Sequence, residues 1–505
     1  MDNPRVCRET DNDNFAASRE CFTEALGWLE GPDAAALSHA ELEDQLDARG
    51  RELLRRMFQD HLSLRAMTER RLAGVRDAQA RAYGAVEAGH HRRLATVFGE
   101  VGITRLAYRR RGQPNLYPAD AALNVPAERH SHGLRRLAAT EASRGSFEEA
   151  AAALERATGQ HLGKRQVETL TARAALDVEA FYDTRVREAD AGVESDLLVL
   201  SADGKGIVMR PDALRPATAK AAAAATNKLT CRLSKGEKRN RKRLAEVGAV
   251  YDLTPVARTP CDVLASKAGE TPPPAPKASA KWVTASVVDD AATVIATVFD
   301  EAERCDPNHA RRWVALVDGN NHQIDRIEAE AQTRGVDVTI VVDLIHVLEY
   351  LWGAVWCFFA EGDPGAQAWV HDRALAVLGG NAREVAAGIR RRATTARLNK
   401  HKRSKADACA KYLTNKAKYL DYPTALAGGW PVASGIIEGT CRYLVADRMD
   451  ITGARWSVNG AEAVLKLRAI RANNDFDDYW KFHLNNERHR VHETRYADQT
   501  IPIAA

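Results

Sequence analysis

The sequence predicts an α/β protein in which a mixed sheet is flanked by helices, with a large helical insertion inside the sheet-bearing part and a mainly helical region ahead of it. Three observations lead there. First, three apolar runs of strand length each end on an aspartate: Leu197-Leu198-Val199-Leu200-Ser201-Ala202-Asp203-Gly204, Trp313-Val314-Ala315-Leu316-Val317-Asp318-Gly319 and Val338-Thr339-Ile340-Val341-Val342-Asp343. Second, the segments between them, Ala291 to Arg304 and His322 to Arg334, carry helical periodicity, so strands alternate with helices. Third, the 95 positions from Asp343 to Glu438 read as helix throughout.

Taken in order, residues 1–92 read as an N-terminal helical arm. The helical pattern runs from Ala34 to about His90, and Ser38-His39-Ala40-Glu41 is a capping box ahead of Leu46, Leu53, Leu54 and Met57. Residues 93–190 read as a hairpin plus a helix-turn-helix. Leu94 to Phe98 and Val101 to Arg109 alternate across Gly99-Glu100, with Arg105, Arg109, Arg110 and Arg111 on the second strand or just beyond. A second capping box, Ser146-Phe147-Glu148-Glu149, opens a helix to about Ala157, and a further helix runs from Lys164 through Leu176 after a Gly-containing turn. In a helix-turn-helix the second helix, starting Lys164-Arg165-Gln166, lies in the DNA major groove, although two helices joined by a Gly turn also pack together for no such purpose.

Residues 191–349 form the first part of the sheet-bearing core. Gly206 to Met209 and Gly248 to Leu253 add strand character, and a cationic loop lies between them with Lys235, Lys238, Arg239, Arg241, Lys242 and Arg243. Thr271-Pro272-Pro273-Pro274-Ala275-Pro276 reads as an extended linker before the strand-like Trp282 to Val288. Residues 350–430 are the helical insertion. It holds an aromatic-rich helix (Tyr350, Trp352, Trp356, Phe358, Phe359), expected to pack rather than to stack on bases, and a basic stretch with Arg390, Arg391, Arg392, Arg397, Lys400, Lys402, Arg403 and Lys405. Residues 431–485 complete the core with a helix carrying Glu438, and residues 486–505 are a tail.

The whole-chain composition excludes several classes. A hydrophobic fraction of 45% and a charged fraction of 28% describe an ordinary globular protein. The net charge of +4 says little; the clustering of the 72 Lys and Arg residues into three basic segments says more. Eight cysteines lie scattered without a CxxC pair, which argues against a zinc site or a disulfide framework and for reduced thiols in a cytoplasm. The longest apolar stretch, Tyr350 to Ala360, is too short to span a bilayer, and the N-terminus is polar, so neither membrane insertion nor secretion is expected.

The chemistry lies in the carboxylates. An Asp-Gly ending a strand is a common turn, but three buried strands ending on Asp plus Glu438 at the head of a helix, in Ser434-Gly435-Ile436-Ile437-Glu438-Gly439, form a pattern. Carboxylates gathered within about 4 Å repel by about 4 kcal/mol per pair at an effective dielectric near 20, so such a site calls for a divalent cation. Phosphodiester cleavage and joining use two Mg2+ ions held by carboxylates from different elements, and Mn2+ substitutes. The strand and helix order matches an RNase H-like core, in which the first and fourth strands and a late helix deliver the metal ligands. That assigns Asp203, Asp318 and Glu438.

Over roughly residues 90–485 the sequence resembles the DDE transposases, specifically the ISKra-type insertion-sequence transposases, and more distantly the Mutator-like and hAT groups. The resemblance rests on Leu200-Ser201-Ala202-Asp203-Gly204-Lys205-Gly206, Val317-Asp318-Gly319-Asn320-Asn321, Asp343-Leu344-Ile345-His346 and Ser434-Gly435-Ile436-Ile437-Glu438-Gly439. It implies that a (Cys/Asp)-x-x-His motif follows the second catalytic Asp by some two dozen residues. Asp343 stands 25 positions after Asp318, which favours Asp318 as that residue and Asp343 with His346 as the accessory motif; Asp343 stays open as the alternative second Asp. Arg442 and Arg448 resemble parts of the family's C-terminal block and are expected on DNA, Arg442 alternatively in a salt bridge, while Trp456 is expected to anchor the core. The expected DNA contacts are thus Lys164, Arg165, Lys238, Arg239, Arg241, Arg390, Arg391, Lys402, Arg403, Arg442 and Arg448. The expected function is binding of an element's terminal inverted repeats with metal-dependent strand cleavage and transfer into target DNA, by a homodimer or larger assembly. The alternatives are an RNase H-like nuclease and a transposase-derived DNA-binding regulator that no longer cuts.

Overall fold

A computed structural model of the chain describes residues 13–185, 197–224, 241–264, 275–451 and 453–502. The chain divides into two compact units, one of residues 1–181 and 477–505, the other of residues 182–476. Lys235, Lys238, Arg239 and the prolines of the linker up to Pro274 lie outside the described residues.

In the first unit, a helical hairpin is followed by a β-hairpin and a three-helix cluster. Ala16–Leu29 packs against the long helix His39–Thr68, whose start is the expected capping box of Ser38 with Glu41. The helix ends at Thr68; the expected hairpin is present, but its first strand β1 (Ala85–Thr96), antiparallel to β2 (Gly99–Arg109), begins earlier and takes in residues to about His90 that were expected to be helical. Its first part, Ala85–Arg93, has no buried residue and carries Glu87, His90, His91, Arg92 and Arg93, so it lacks the apolar alternation that marks a strand. Arg105 faces inward, 2.9 Å from Asp120 with both groups buried.

Three helices, His132–Arg144, Phe147–Thr158 and Lys164–Ala174, enclose a core of Leu134, Ala138, Ala142, Ala150, Leu154, Leu162, Val167 and Leu170. Gly159 ends the second helix at φ +67°, which turns the chain toward the third. The C-terminal helix Phe476–Val491 returns to this unit. Its Glu487, fully buried, accepts from Arg135 at 2.6 Å and from Arg173 at 3.2 Å, and its His483 lies 2.6 Å from Asp177. Arg135 also spans to Glu128 at 2.9 Å. Residues 477–485, expected in the last part of the sheet-bearing core, are thus part of the first unit.

The second unit is a five-stranded mixed sheet flanked by helices. Its strands are β3 (Leu197–Val208), β4 (Lys242–Leu253), β5 (Ala278–Ser286), β6 (Arg312–Val317) and β7 (Val338–Val342), in the order β5-β4-β3-β6-β7. β3, β4 and β5 pair antiparallel; β3, β6 and β7 run parallel. The central strands are buried along nearly their whole length, which explains why their sequences are continuous apolar runs instead of alternating ones. The expected stop at Asp203-Gly204 does not occur. β3 runs through it to Val208 because β4 continues the ladder, pairing Asp203 with Val247 and Gly204 with Glu246. Beyond β7 the chain is helical up to Ala427, in the helices Leu344–Val355, Pro364–Leu378, Ala382–Thr395, Ser404–Lys416 and Tyr422–Ala427. Among the described residues no helix is long and apolar enough to cross a membrane.

Candidate active site

Strand register places the three aspartates in one row. Ser201 pairs with Leu316 and Leu316 with Val341, so Asp203, Asp318 and Asp343 stand two residues further along, Asp318 and Asp343 just past the ends of β6 and β7 and Asp203 within β3 just beyond its parallel pairing with β6. The 25-residue offset between Asp318 and Asp343 is that register. Carboxyl ends of parallel strands are where open α/β sheets place ligands, since connections leave the sheet there and open a crevice.

The three side chains meet different surroundings. Asp203 is partly buried, and its Oδ1 accepts from the Gly204 amide at 2.6 Å. Burial pushes its carboxyl above the usual range, and the nearby Asp318 charge adds to this; the Gly204 amide, Cys441 and His346 oppose it. Asp318 Oδ1 accepts from the Asn320 amide at 2.7 Å, and Asn320 in turn caps the helix Asn321–Arg334. The backbone bends sharply after it at Gly319, φ +86°, where an added Cβ would stand 2.8 Å from the Tyr412 hydroxyl. That hydroxyl donates to the Asp318 carbonyl at 3.2 Å. A side chain at 319 would therefore shift either Tyr412 or the Asp318 backbone.

Asp343 is fully buried and its carboxylate is saturated by protein donors. Oδ1 accepts from the Ile345 amide at 2.7 Å, capping Leu344–Val355, while Oδ2 accepts from the Ser434 amide at 2.9 Å and from its hydroxyl. Ser434 immediately precedes the helix Gly435–Thr440, which carries Glu438. Asp343 therefore fixes where the Glu438 helix begins, and the neighbouring Leu344 amide donates to Val432 in the same junction. Asp343→Ala is expected to cost about 3 kcal/mol by orphaning buried donors and a helix cap, whereas Asp343→Asn, which keeps acceptors, costs less; urea unfolding of the two variants measures the difference.

Glu438 is exposed, and its helix passes directly into a π-helical turn, Cys441–Ala446. Such turns recur at functional sites. Cys441, one turn beyond Glu438, donates from Sγ to Asp203 Oδ2 at 3.4 Å, which seats the Glu438 segment against β3 at Asp203. Burial and the adjacent Asp203 push the Cys441 thiol far above its usual range. Glu246, opposite Gly204 on β4, is a further carboxylate here, pushed up by burial and by Asp203. Neither Cys441 nor Glu246 was marked by sequence. Cys441 shares a helix face with Glu438 at i+3, a spacing the sequence does contain, but Glu246 is brought in by strand pairing alone. His346 lies within electrostatic range of Asp203 and pairs with Glu349 at 3.2 Å. Among the described residues, Asp203, Asp318 and Glu438 do not form a group with all ligand oxygens within 4.8 Å of one another.

The expected DNA-contacting cations fall into three groups. Arg165, Arg241, Arg390, Arg391 and Lys402 are exposed. Lys164 pairs with Glu148 at 2.6 Å, Arg403 with Asp407 at 2.9 Å, and Arg442, highly exposed, stands 3.6 Å from Asp447. Arg448 does not belong on a DNA-facing surface: it is 3% exposed, with its guanidinium 4.6 Å from the Trp456 ring centre. Its place in the core follows from Trp456, whose buried ring donates to the Met449 carbonyl at 3.1 Å. The aromatic helix divides. Tyr350 stacks on Tyr412 at 3.9 Å, Phe358 packs on Trp369, and Arg392 lies over Phe358 and Phe359, while Trp352 and Trp356 remain exposed.

Residues 34–219 match the model of an uncharacterised protein family, UPF0236. The match takes in Asp203 and ends before Asp318 and Glu438. No curated protein matches the chain.

Proposed function

We propose that this protein is a DNA transposase of the DDE type, binding the ends of its own insertion sequence and carrying out metal-dependent strand cleavage and strand transfer. The observation that carries the reading is the register that sets Asp203, within β3, beside Asp318 at the end of the adjacent parallel strand β6, with the Glu438 segment seated on Asp203 through Cys441. The sheet order β5-β4-β3-β6-β7, antiparallel on one side of β3 and parallel on the other, supports an RNase H-like core for that site.

The donor chemistry suits a divalent cation, and the three carboxylates, not all within 4.8 Å of one another here, would have to close on it. Asp203 is partly buried and raised by burial and by Asp318, an arrangement that a bound cation relieves and that hard oxygen ligands provide. Asp203, Asp318 and Glu438 would hold two Mg2+ ions, which activate the attacking water or 3′-hydroxyl and stabilise the leaving oxygen. The chain's own contribution is positioning. β3 and β6 fix the two Asp backbones, Asp343 fixes the start of the Glu438 helix, and exposed Arg390, Arg391 and Lys402 attract and hold the DNA backbone. If these three cations contact phosphates, replacing all three by Ala lowers the slope of log affinity against log salt by about 0.9 per contact, with equal loss on every DNA sequence; filter binding across a salt series measures it.

Incubation of the protein and Mg2+ with labelled DNA taken from the flanks of its reading frame tests the proposal. Nicks leaving 3′-hydroxyl ends that are then joined to a second duplex support it. Cleavage without joining reduces the protein to a nuclease, and binding without cleavage to a regulator.

A further inference from the structure

The helical insertion grips the sheet at the ends of two strands. Tyr422 donates from its hydroxyl to the Val342 carbonyl at 2.7 Å, where β7 ends, and Tyr412 donates to the Asp318 carbonyl at 3.2 Å, one residue past β6. The two bonds are chemically alike but lie beside different carboxylates. Val342 precedes Asp343, whose side chain is occupied by Ile345 and Ser434, whereas Asp318 is a candidate metal ligand.

Asp318 depends on such a grip in a way that Asp203 does not. Asp203 lies inside β3, and the ladder with β4 continues past it to Val208. The ladder of β6 with β7 stops where Val317 pairs with Val342, so Asp318 opens the turn Asp318-Gly319-Asn320-Asn321. Among the described residues no backbone amide donates to the Asp318 carbonyl. The Tyr412 hydroxyl takes that place from 94 positions along the chain. Gly319 leaves the space the hydroxyl occupies, and the Tyr412 ring is itself held by stacking on Tyr350, with 16° between the ring planes. One helical turn beyond Tyr412, the buried Lys416 donates to the side-chain oxygen of Asn321, at the other end of the same turn. A helix that only covered the sheet would meet it with apolar side chains. Ser404–Lys416 instead spends a hydroxyl and a buried ammonium, four residues apart on one face, on the two ends of the turn that presents Asp318.

We propose that Tyr412 is a positioning residue for Asp318, through which the helical insertion holds this carboxylate in place for a divalent cation. The inference rests on the reading of Asp203, Asp318 and Glu438 as metal ligands and adds that the insertion supports the site as well as offering cations to DNA. Groups that orient a metal ligand from outside the ligand set typically change metal affinity 10- to 100-fold when removed. Titration of the full-length protein with Mn2+, followed by loss of the free-ion electron paramagnetic resonance signal, tests it. The wild type binds Mn2+, and Asp318→Asn binds it far more weakly. Tyr412→Phe, which removes only the hydroxyl, weakens binding by about 10-fold. Tyr422→Phe deletes the matching bond at the end of β7 and serves as the control: it leaves Mn2+ affinity within about twofold of the wild type, because the carboxylate beside it is not a ligand. Tyr412→Phe binding Mn2+ as tightly as the wild type, or Tyr422→Phe losing as much affinity as Tyr412→Phe, would overturn this proposal alone. A wild type that binds no Mn2+, or binds it no better than Asp318→Asn does, would overturn the metal reading and this proposal with it.

Discussion

Asp203→Asn is expected to abolish Mg2+-dependent strand cleavage, by at least about 10³-fold, without destabilising the protein. The two halves of this result share one cause. Asp203 feels the charge of Asp318 and acts on Glu246 in turn, and burial raises its carboxyl. Because the folded value lies above the unfolded one, the folded chain binds a proton on Asp203 more readily than the unfolded chain does. The associated stability is present at low pH and is lost as pH rises through the folded value. Asparagine is neutral throughout and shows no such loss, so at neutral pH in the presence of a chelator the variant melts at or above the wild-type temperature. Mg2+ then separates the proteins: it raises the wild-type melting temperature by binding the folded state and leaves that of Asp203→Asn unchanged. Glu438→Gln should match it in activity. Its exposure makes its effect on stability small.

Arg135→Met is expected to destabilise the first unit by about 3–5 kcal/mol, the cost of leaving a buried charge unpaired. Arg135 is fully buried between Glu487 and Glu128, and Glu487 is fully buried with it. Removing the guanidinium strands Glu487, with Arg173 and Arg490 as its remaining cations. Desolvation alone would raise Glu487, but Arg135 and Arg173 outweigh it and hold its carboxyl down at about 2. A lowered folded value means that this stability is present above the unfolded carboxylate range and is lost as pH falls through it toward about 2. The wild type should therefore lose stability steeply in acid, and Glu487→Gln should flatten that part of the profile while lowering stability at neutral pH. Thermal melts by circular dichroism from pH 2 to 7 provide the measurement.

What the sequence revealed, and what it hid, follows from how far each interaction reaches along the chain. The strands of the sheet were legible because strands buried on both faces need continuous apolar residues, and Val338–Val342 or Arg312–Val317 have few other ways to read. The capping boxes at Ser38 and Ser146 were legible because they lie within four residues. β1 was legible only at its Leu94–Thr96 end, because the solvated part before it, paired on one side, needs no apolar face. The run of β3 through Asp203-Gly204 was hidden as well, since the turn tendency of that dipeptide yields to a ladder supplied by β4, some 45 residues away. The aspartate row could be anticipated from strand ends, but not the difference within it. Asp343 faces Ser434 across 91 positions and spends its carboxylate on backbone, while Asp203 faces Cys441 across 238. Arg448 looked like a surface cation because nothing local says that Trp456 draws it inward.

As proposed, Asp203, Asp318 and Glu438 together would hold the divalent ions that act on DNA. An anomalous-scattering map from crystals grown with a bound DNA end and Mn2+ tests this most directly. Mn2+ is expected to contact Asp203 and Asp318, with Glu438 completing the ligand set and Asp343 still bound to Ser434. Mn2+ seated on Asp343 in place of Asp318, or held away from Asp203 altogether, would contradict it.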